Sequence, residues 1–302
     1  MYLKYLDSFK TKFNKTIFRT PGIEFLRQNK NLTKKFKYLD FWSNRFKKNP
    51  GFKYFFFEEQ AEPNNGFIYN STINFEITSK MFESLAFYGI LIIKNALPKN
   101  ELLKIKSSFK DLEKLKNNDC WLSKPTKIKG RVETELNVVK ANIAHFTQLK
   151  DYSDQASARI YNKKVQPNVD LHYLKIVNDK EKAIRGETYL HSDRFVPHFK
   201  MFYTPYTISE KDAPFEYALQ SHKINKEYLE FFQNSIFFDE SDILSKKLYK
   251  KKIKVITEPN TLYIAFTNGL HRRTDFKNKS ERHMMFFQYV ERFNKLNYLF
   301  SK

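Results

Sequence analysis

His191 and Asp193 stand one residue apart in the stretch ETYLHSDRFVPHFKMFYTPYTI, which reads as strand, polar interruption, strand. In an extended chain, residues two apart point to the same face, so the imidazole and the carboxylate aim at one point and Ser192 points away. A nitrogen donor and an oxygen donor placed like that are two metal ligands in need of a third. His271 is the candidate. It follows another strand, in TLYIAFTNGLHRR, 78 residues past Asp193, with Gly269 just ahead for a tight backbone. Two His and one carboxylate on one face of a metal leave about three positions open, the arrangement used by non-haem Fe(II) oxygenases. Arg282 lies eleven residues past His271, on the strand-like SERHMMFFQY. An Arg there could hold a dicarboxylate by its far end in a bidentate pair. If this strand runs back along a barrel, Arg282 points inward and His283 outward. The competing reading is plainer: His191 and Asp193 form a hydrogen-bonded pair at a strand end, and His271 is a loop residue.

These residues need elements to position them. Thr78 or Ser79 caps a short helix, MFESLAFYG, which stops at Gly89. ILIIKNAL follows as a buried strand, and Pro98 opens a second helix in which Leu102, Ile105, Phe109 and Leu112 step by three and four. Residues 136–163 read as helical, with a break near Asp151. After Pro167 the texture changes to short, aromatic, β-branched runs separated by turn residues: VDLHYLKIV, ETYLHSD, FKMFYTPYTI, KKIKVITE, TLYIAF and RHMMFFQYVERF. Many short strands after a helical half predict a mainly β (α+β) domain, a sandwich or barrel wrapped by helices. AEPNNG (61–66) is a loop, and the reading divides the chain into an N-terminal extension, 1–77, and a main domain, 78–302.

The extension is the most basic part of the chain. Leu6, Phe9, Phe13 and Ile17 recur at helical spacing with Lys10, Lys12 and Lys15 between them, an amphipathic basic helix. It packs on its own domain, docks on a partner or lies on an anionic membrane through residues 1–20. The whole chain of 302 residues carries a net charge of +21, which suits an anionic substrate or partner. However, Lys outnumbers Arg 43 to 11, a bias that AT-rich codons alone produce, and nucleic-acid readers favour Arg. Nucleic acid therefore ranks below a small molecule as partner. The single cysteine, Cys120, excludes a disulfide framework and a Cys-rich zinc site. The N-terminus shows no signal-peptide pattern and no apolar run reaches membrane-spanning length, so the expectation is a cytoplasmic protein.

His191-Ser192-Asp193, then His271, then Arg282 resembles the phytanoyl-CoA dioxygenase family of Fe(II)/2-oxoglutarate oxygenases. FYGILIIKNALPKNELLKI resembles that family's opening helix–strand–helix, LHYLKIV the strand before the metal pair, and KDAPFEYALQSHK a loop that usually ends Gly-Ser-His. Together these stretches cover roughly residues 78–290. The resemblance implies a double-stranded β-helix (jelly-roll, cupin-like) core. It implies Fe(II) on His191, Asp193 and His271, with 2-oxoglutarate held by Arg282 and by Lys175, and O2 as second cosubstrate. It implies hydroxylation of a C–H bond of a small-molecule substrate, with succinate and CO2 released. Related halogenases carry a small residue where Asp193 stands, so the carboxylate favours hydroxylation. Arg194, His172 and Arg272 are candidates to meet the substrate. Two departures stand out: Gln220 where the family usually has Gly, and Arg273 where a hydroxyl residue often helps to hold 2-oxoglutarate. The rival readings are an inactive oxygenase fold that binds a partner through its basic surface, and an oxygenase acting on nucleic acid.

Overall fold

The computed structural model describes residues 61–112, 126–128, 131–136, 144–161, 169–177, 189–193, 198–223, 237–238, 251–275 and 281–290. The basic helix read in residues 1–20, Cys120 and Arg194 lie outside them.

The described chain opens with β1 (Ile68–Asn70), followed by α1 (Ser79–Tyr88). α1 starts where the Met81 N–H donates to the Thr78 hydroxyl and ends at Gly89, whose φ of 81° suits glycine alone. β2 (Ile90–Lys94) runs straight on, and α2 (Lys99–Leu112) opens after Pro98. β3 (Thr126–Ile128) and β4 (Arg131–Leu136) form a hairpin beside β5 (Val169–Val177). Here the structure corrects the helical reading of 136–163: Leu136 ends a strand, and the helix, α3 (Ala144–Tyr161), passes through Asp151 without a break. Asp151 is exposed, where an acidic side chain costs a helix little. Pairing along the whole of β4 with β5 overrides local helical pattern.

The remaining strands are β6 (Leu190–His191), β7 (His198–Thr204), β8 (Phe215–Ala218), β9 (Phe237–Phe238), β10 (Lys252–Val255), β11 (Thr261–Phe266), β12 (His271–Arg273) and β13 (Glu281–Val290). Among the described residues they form two sheets. The large one has the order β1-β2-β11-β7-β13-β5-β4-β3, the small one β10-β8-β12-β6-β9. All pairings between these strands are antiparallel except β1 with β2, which places the start of the large sheet within the segment read as an extension.

One apolar cluster joins the sheets. Ile90, Ile92, Phe202, Tyr263, Ala265, Met284 and Phe286 come from the large sheet; Phe215, Tyr217 and Val255 come from the small one. Tyr263, Phe202 and Phe286 are cross-strand partners in one row over β11, β7 and β13, and the Phe202 and Tyr263 rings stack at 4.7 Å. Each such ring taken out of water contributes on the order of 2 kcal/mol. The other face of the large sheet is buried too, through Met201, Tyr203, Leu262, Ile264, Met285 and Phe287. This is why β11 reads as a continuous apolar run rather than an alternating one. Two facing, largely antiparallel sheets around one interior, with helices outside, are a double-stranded β-helix. No helix among the described residues is long and apolar enough to cross a membrane.

Candidate metal centre

β6 and β12 are neighbours in the small sheet, and their register sets His191 directly opposite His271. The two rings stand 4.6 Å apart. Each Nδ1 faces the carbonyl two residues back, Tyr189 O at 2.8 Å for His191 and Gly269 O at 2.9 Å for His271. A carbonyl only accepts, so each Nδ1–H donates and each Nε2 keeps its lone pair for another partner. Both Nε2 atoms turn to Asp193 Oδ1, at 3.8 Å from His191 and 3.5 Å from His271. The loop carrying Asp193 is pinned by its N–H to Thr267 O, 3.0 Å, while the Ser192 hydroxyl points elsewhere, to Asn268 O. Gly269 has no room for a side chain: a Cβ there would come within 2.4 Å of the Tyr217 hydroxyl.

These three donors lie within 4.8 Å of one another. Ligand atoms on one face of an octahedral ion with bonds of about 2.1 Å stand about 3 Å apart, so slight closure brings this set onto a metal. The protonation states agree. Burial pushes the His191 imidazole down to about 4, helped by His271 and opposed by Asp193, so it is neutral at pH 7. Burial alone would raise the Asp193 carboxyl, but Lys200, His271 and His198 hold it well below its ordinary range, so it is ionised. His271 is buried, whereas about a fifth of the His191 and Asp193 side chains remains exposed, which leaves one side of the centre open to solvent. The residues fit a divalent metal with open positions.

Arg282 lies on the interior face of β13 with Met284 and Phe286, and His283 on the opposite face against Tyr206. Its guanidinium is 4 % exposed, so what it touches matters. Nη1 donates to Ala213 O and Nη2 to Met284 Sδ, while Nε has no hydrogen-bond partner among the described residues. Among the described residues this buried cation faces a carbonyl and a thioether and forms no ion pair, so it could pair with an anion. Burial lowers Arg282 to about 10, with Tyr263 and Asp212 opposing and Arg273 adding to the fall, and it stays cationic at neutral pH. Arg273 shares a face of β12 with His271 and thus also turns inward. The Thr274 hydroxyl is bound to Pro214 O.

Arg272, expected to meet the substrate, has a partner of its own. Arg272 points to the outer face of the small sheet, where its Nε donates to Glu216 Oε2 at 2.5 Å, away from the metal ligands. Lys175 and His172 are described by their backbone register alone, opposite His283 and Phe286 of β13. His222 is buried, with Nε2 at 3.0 Å from Ala86 O. Gln220 adopts φ 66°, a conformation that glycine takes up more readily.

Sequence reasoning missed Lys200 and Tyr263. Lys200 reaches the centre from the large sheet, with Nζ 2.7 Å from Asp193 Oδ2 and 5.3 Å above the Phe286 ring. The signal was present: His198, Lys200 and Phe202 alternate on one face of β7, and a lysine on an inward face needs a reason.

No known protein family matches the chain, and no curated protein does. Comparison with solved structures does find the fold. The non-haem α-ketoglutarate-dependent carbocyclase SnoK from nogalamycin biosynthesis shares 10% identity over 70% of this chain and 83% of its own, with a TM-score of 0.51. The α-ketoglutarate-dependent epimerase SnoN from the same biosynthesis shares 9%, over 68% and 80%, with a TM-score of 0.50. The double-stranded β-helix is thus common to this chain and to those two enzymes.

Proposed function

We propose that this chain is an Fe(II)- and 2-oxoglutarate-dependent dioxygenase that hydroxylates a C–H bond of a small-molecule substrate, releasing succinate and CO2. The observation that carries the reading is the convergence of His191 Nε2, His271 Nε2 and Asp193 Oδ1 within 4.8 Å at an open side of the fold that SnoK and SnoN share. When bound, iron and 2-oxoglutarate supply the oxidant, by reduction of O2 coupled to decarboxylation. The chain does the rest. Tyr189 and Gly269 carbonyls hold both imidazoles with Nε2 forward. Arg282 offers a buried cation for the far carboxylate of the cosubstrate. Phe202, Phe215, Phe286 and Tyr263 wall the interior and keep water from it. Substrate enters where His191 and Asp193 are exposed, and the net charge of +21 favours an anionic or carrier-linked molecule. His172 and Arg194 remain the residues proposed to meet it.

An anaerobic titration of metal-free protein with Fe(II) and 2-oxoglutarate tests the reading. A visible metal-to-ligand charge-transfer band is expected in wild type. Absence of the band together with absence of Fe(II) affinity would overturn it.

A further inference from the structure

The two oxygens of the Asp193 carboxylate have different partners. Oδ1 faces both imidazoles, at 3.5 and 3.8 Å. Oδ2 faces Lys200 Nζ at 2.7 Å, in ion-pair contact though off the hydrogen-bonding direction. The lysine belongs to the opposite sheet. Its backbone is fixed on both sides by the ladder, opposite Ala265 on β11 and Gln288 on β13. Its side chain is 17% exposed and its ammonium stands over the Phe286 ring. A cation so anchored has little freedom to follow the carboxylate elsewhere.

We propose that Lys200 is a positioning residue of the metal centre: it holds Asp193 Oδ2, so that the carboxylate binds metal through Oδ1 alone. This rests on the Fe(II)/2-oxoglutarate reading above. A carboxylate can give a metal one oxygen or two. Three protein donors leave about three positions on a six-coordinate ion. A chelating 2-oxo acid takes two of them and O2 the third. A second bond from Asp193 would take one of these, and Lys200 prevents it, because Oδ2 would have to abandon a partly buried ion pair. The same positive charge lies close to the metal and repels it, so its removal does not weaken metal binding. The signature is therefore a split. Loss of Lys200 harms cosubstrate binding and leaves metal binding as tight or tighter, whereas a lysine that merely supported the fold would harm both.

The test uses the full chain without oxygen, with Fe(II) and 2-oxoglutarate as probes. Lys200→Met and Lys200→Gln remove the charge, and Lys200→Arg keeps it. Two neutral variants are read side by side, with circular dichroism, so that misfolding of one leaves the other to decide. In the neutral variants the Fe(II) dissociation constant is expected to be unchanged or lower, that for 2-oxoglutarate about tenfold higher, and the charge-transfer maximum shifted. Lys200→Arg is expected to restore the cosubstrate constant. Neutral variants with wild-type constants and a wild-type band would overturn the role of Lys200 and leave the oxygenase reading standing. A wild-type protein without the band would instead remove the oxygenase reading, and this inference with it.

Discussion

The two sheets build opposite halves of the centre by opposite means. The small sheet supplies the metal donors from its shortest pieces: His191 from the two-residue β6 and His271 from the three-residue β12. Those rings are aimed locally, each by a carbonyl two residues back. The large sheet supplies cations, Lys200 from β7 and Arg282 from β13, which are aimed by long ladders. Donors on short strands can adjust by fractions of an ångström to close on an ion. Cations on long strands are held more rigidly by their ladders.

The comparison can be broken first on the small sheet. His271→Ala is expected to cost roughly a hundredfold or more in Fe(II) affinity, and the charge-transfer band should vanish. Calorimetry showing unchanged Fe(II) binding would mean that this sheet holds no metal. The seam between the sheets comes next. A Cβ on Gly89 would lie 2.4 Å from both the His222 ring and the Tyr217 hydroxyl, at a φ that disfavours a side chain. Gly89→Ala should lower stability by about 3 kcal/mol, read as a lower denaturant midpoint. On the large sheet, Arg282→Gln should weaken 2-oxoglutarate by about 2 kcal/mol, roughly thirtyfold, with the Fe(II) constant unchanged. Parallel loss of both constants would show that the halves are not separable.

The smallest effect is a pH dependence of the metal-free protein. His191 binds its proton at about 4 when folded and near 6.5 when unfolded. The unfolded chain therefore takes up a proton first, and stability falls as pH drops from 6.5 towards 4. Between pH 7.5 and 5.5 this amounts to about 1 kcal/mol. The difference between wild type and His191→Gln in thermal melts over that range isolates it. Equal slopes would contradict a buried neutral imidazole.

What could be read from sequence follows the same division. The pair His191 and Asp193 is visible because its geometry is local, two residues along an extended chain. Simple parity from His271 also separates Arg272, outward, from Arg273, inward, although the first was read as a substrate contact. Lys200 was not legible in that way. Which lysine turns inward depends on register among strands far apart in sequence, and one step of register exchanges the faces. β4 escaped for a related reason, since only its long-range pairing with β5 makes it a strand.

Among the described residues, His191 and His271 are also the sole register pair joining β6 to β12. A metal held by both would be a cross-link between two strands that otherwise share very little backbone. Its binding energy is then pairing energy for the junction of β6 and β12 within the small sheet, and loading and closing of that junction become one equilibrium. Resistance of this junction to proteolysis would consequently report how much of the protein is charged with metal, with no turnover required.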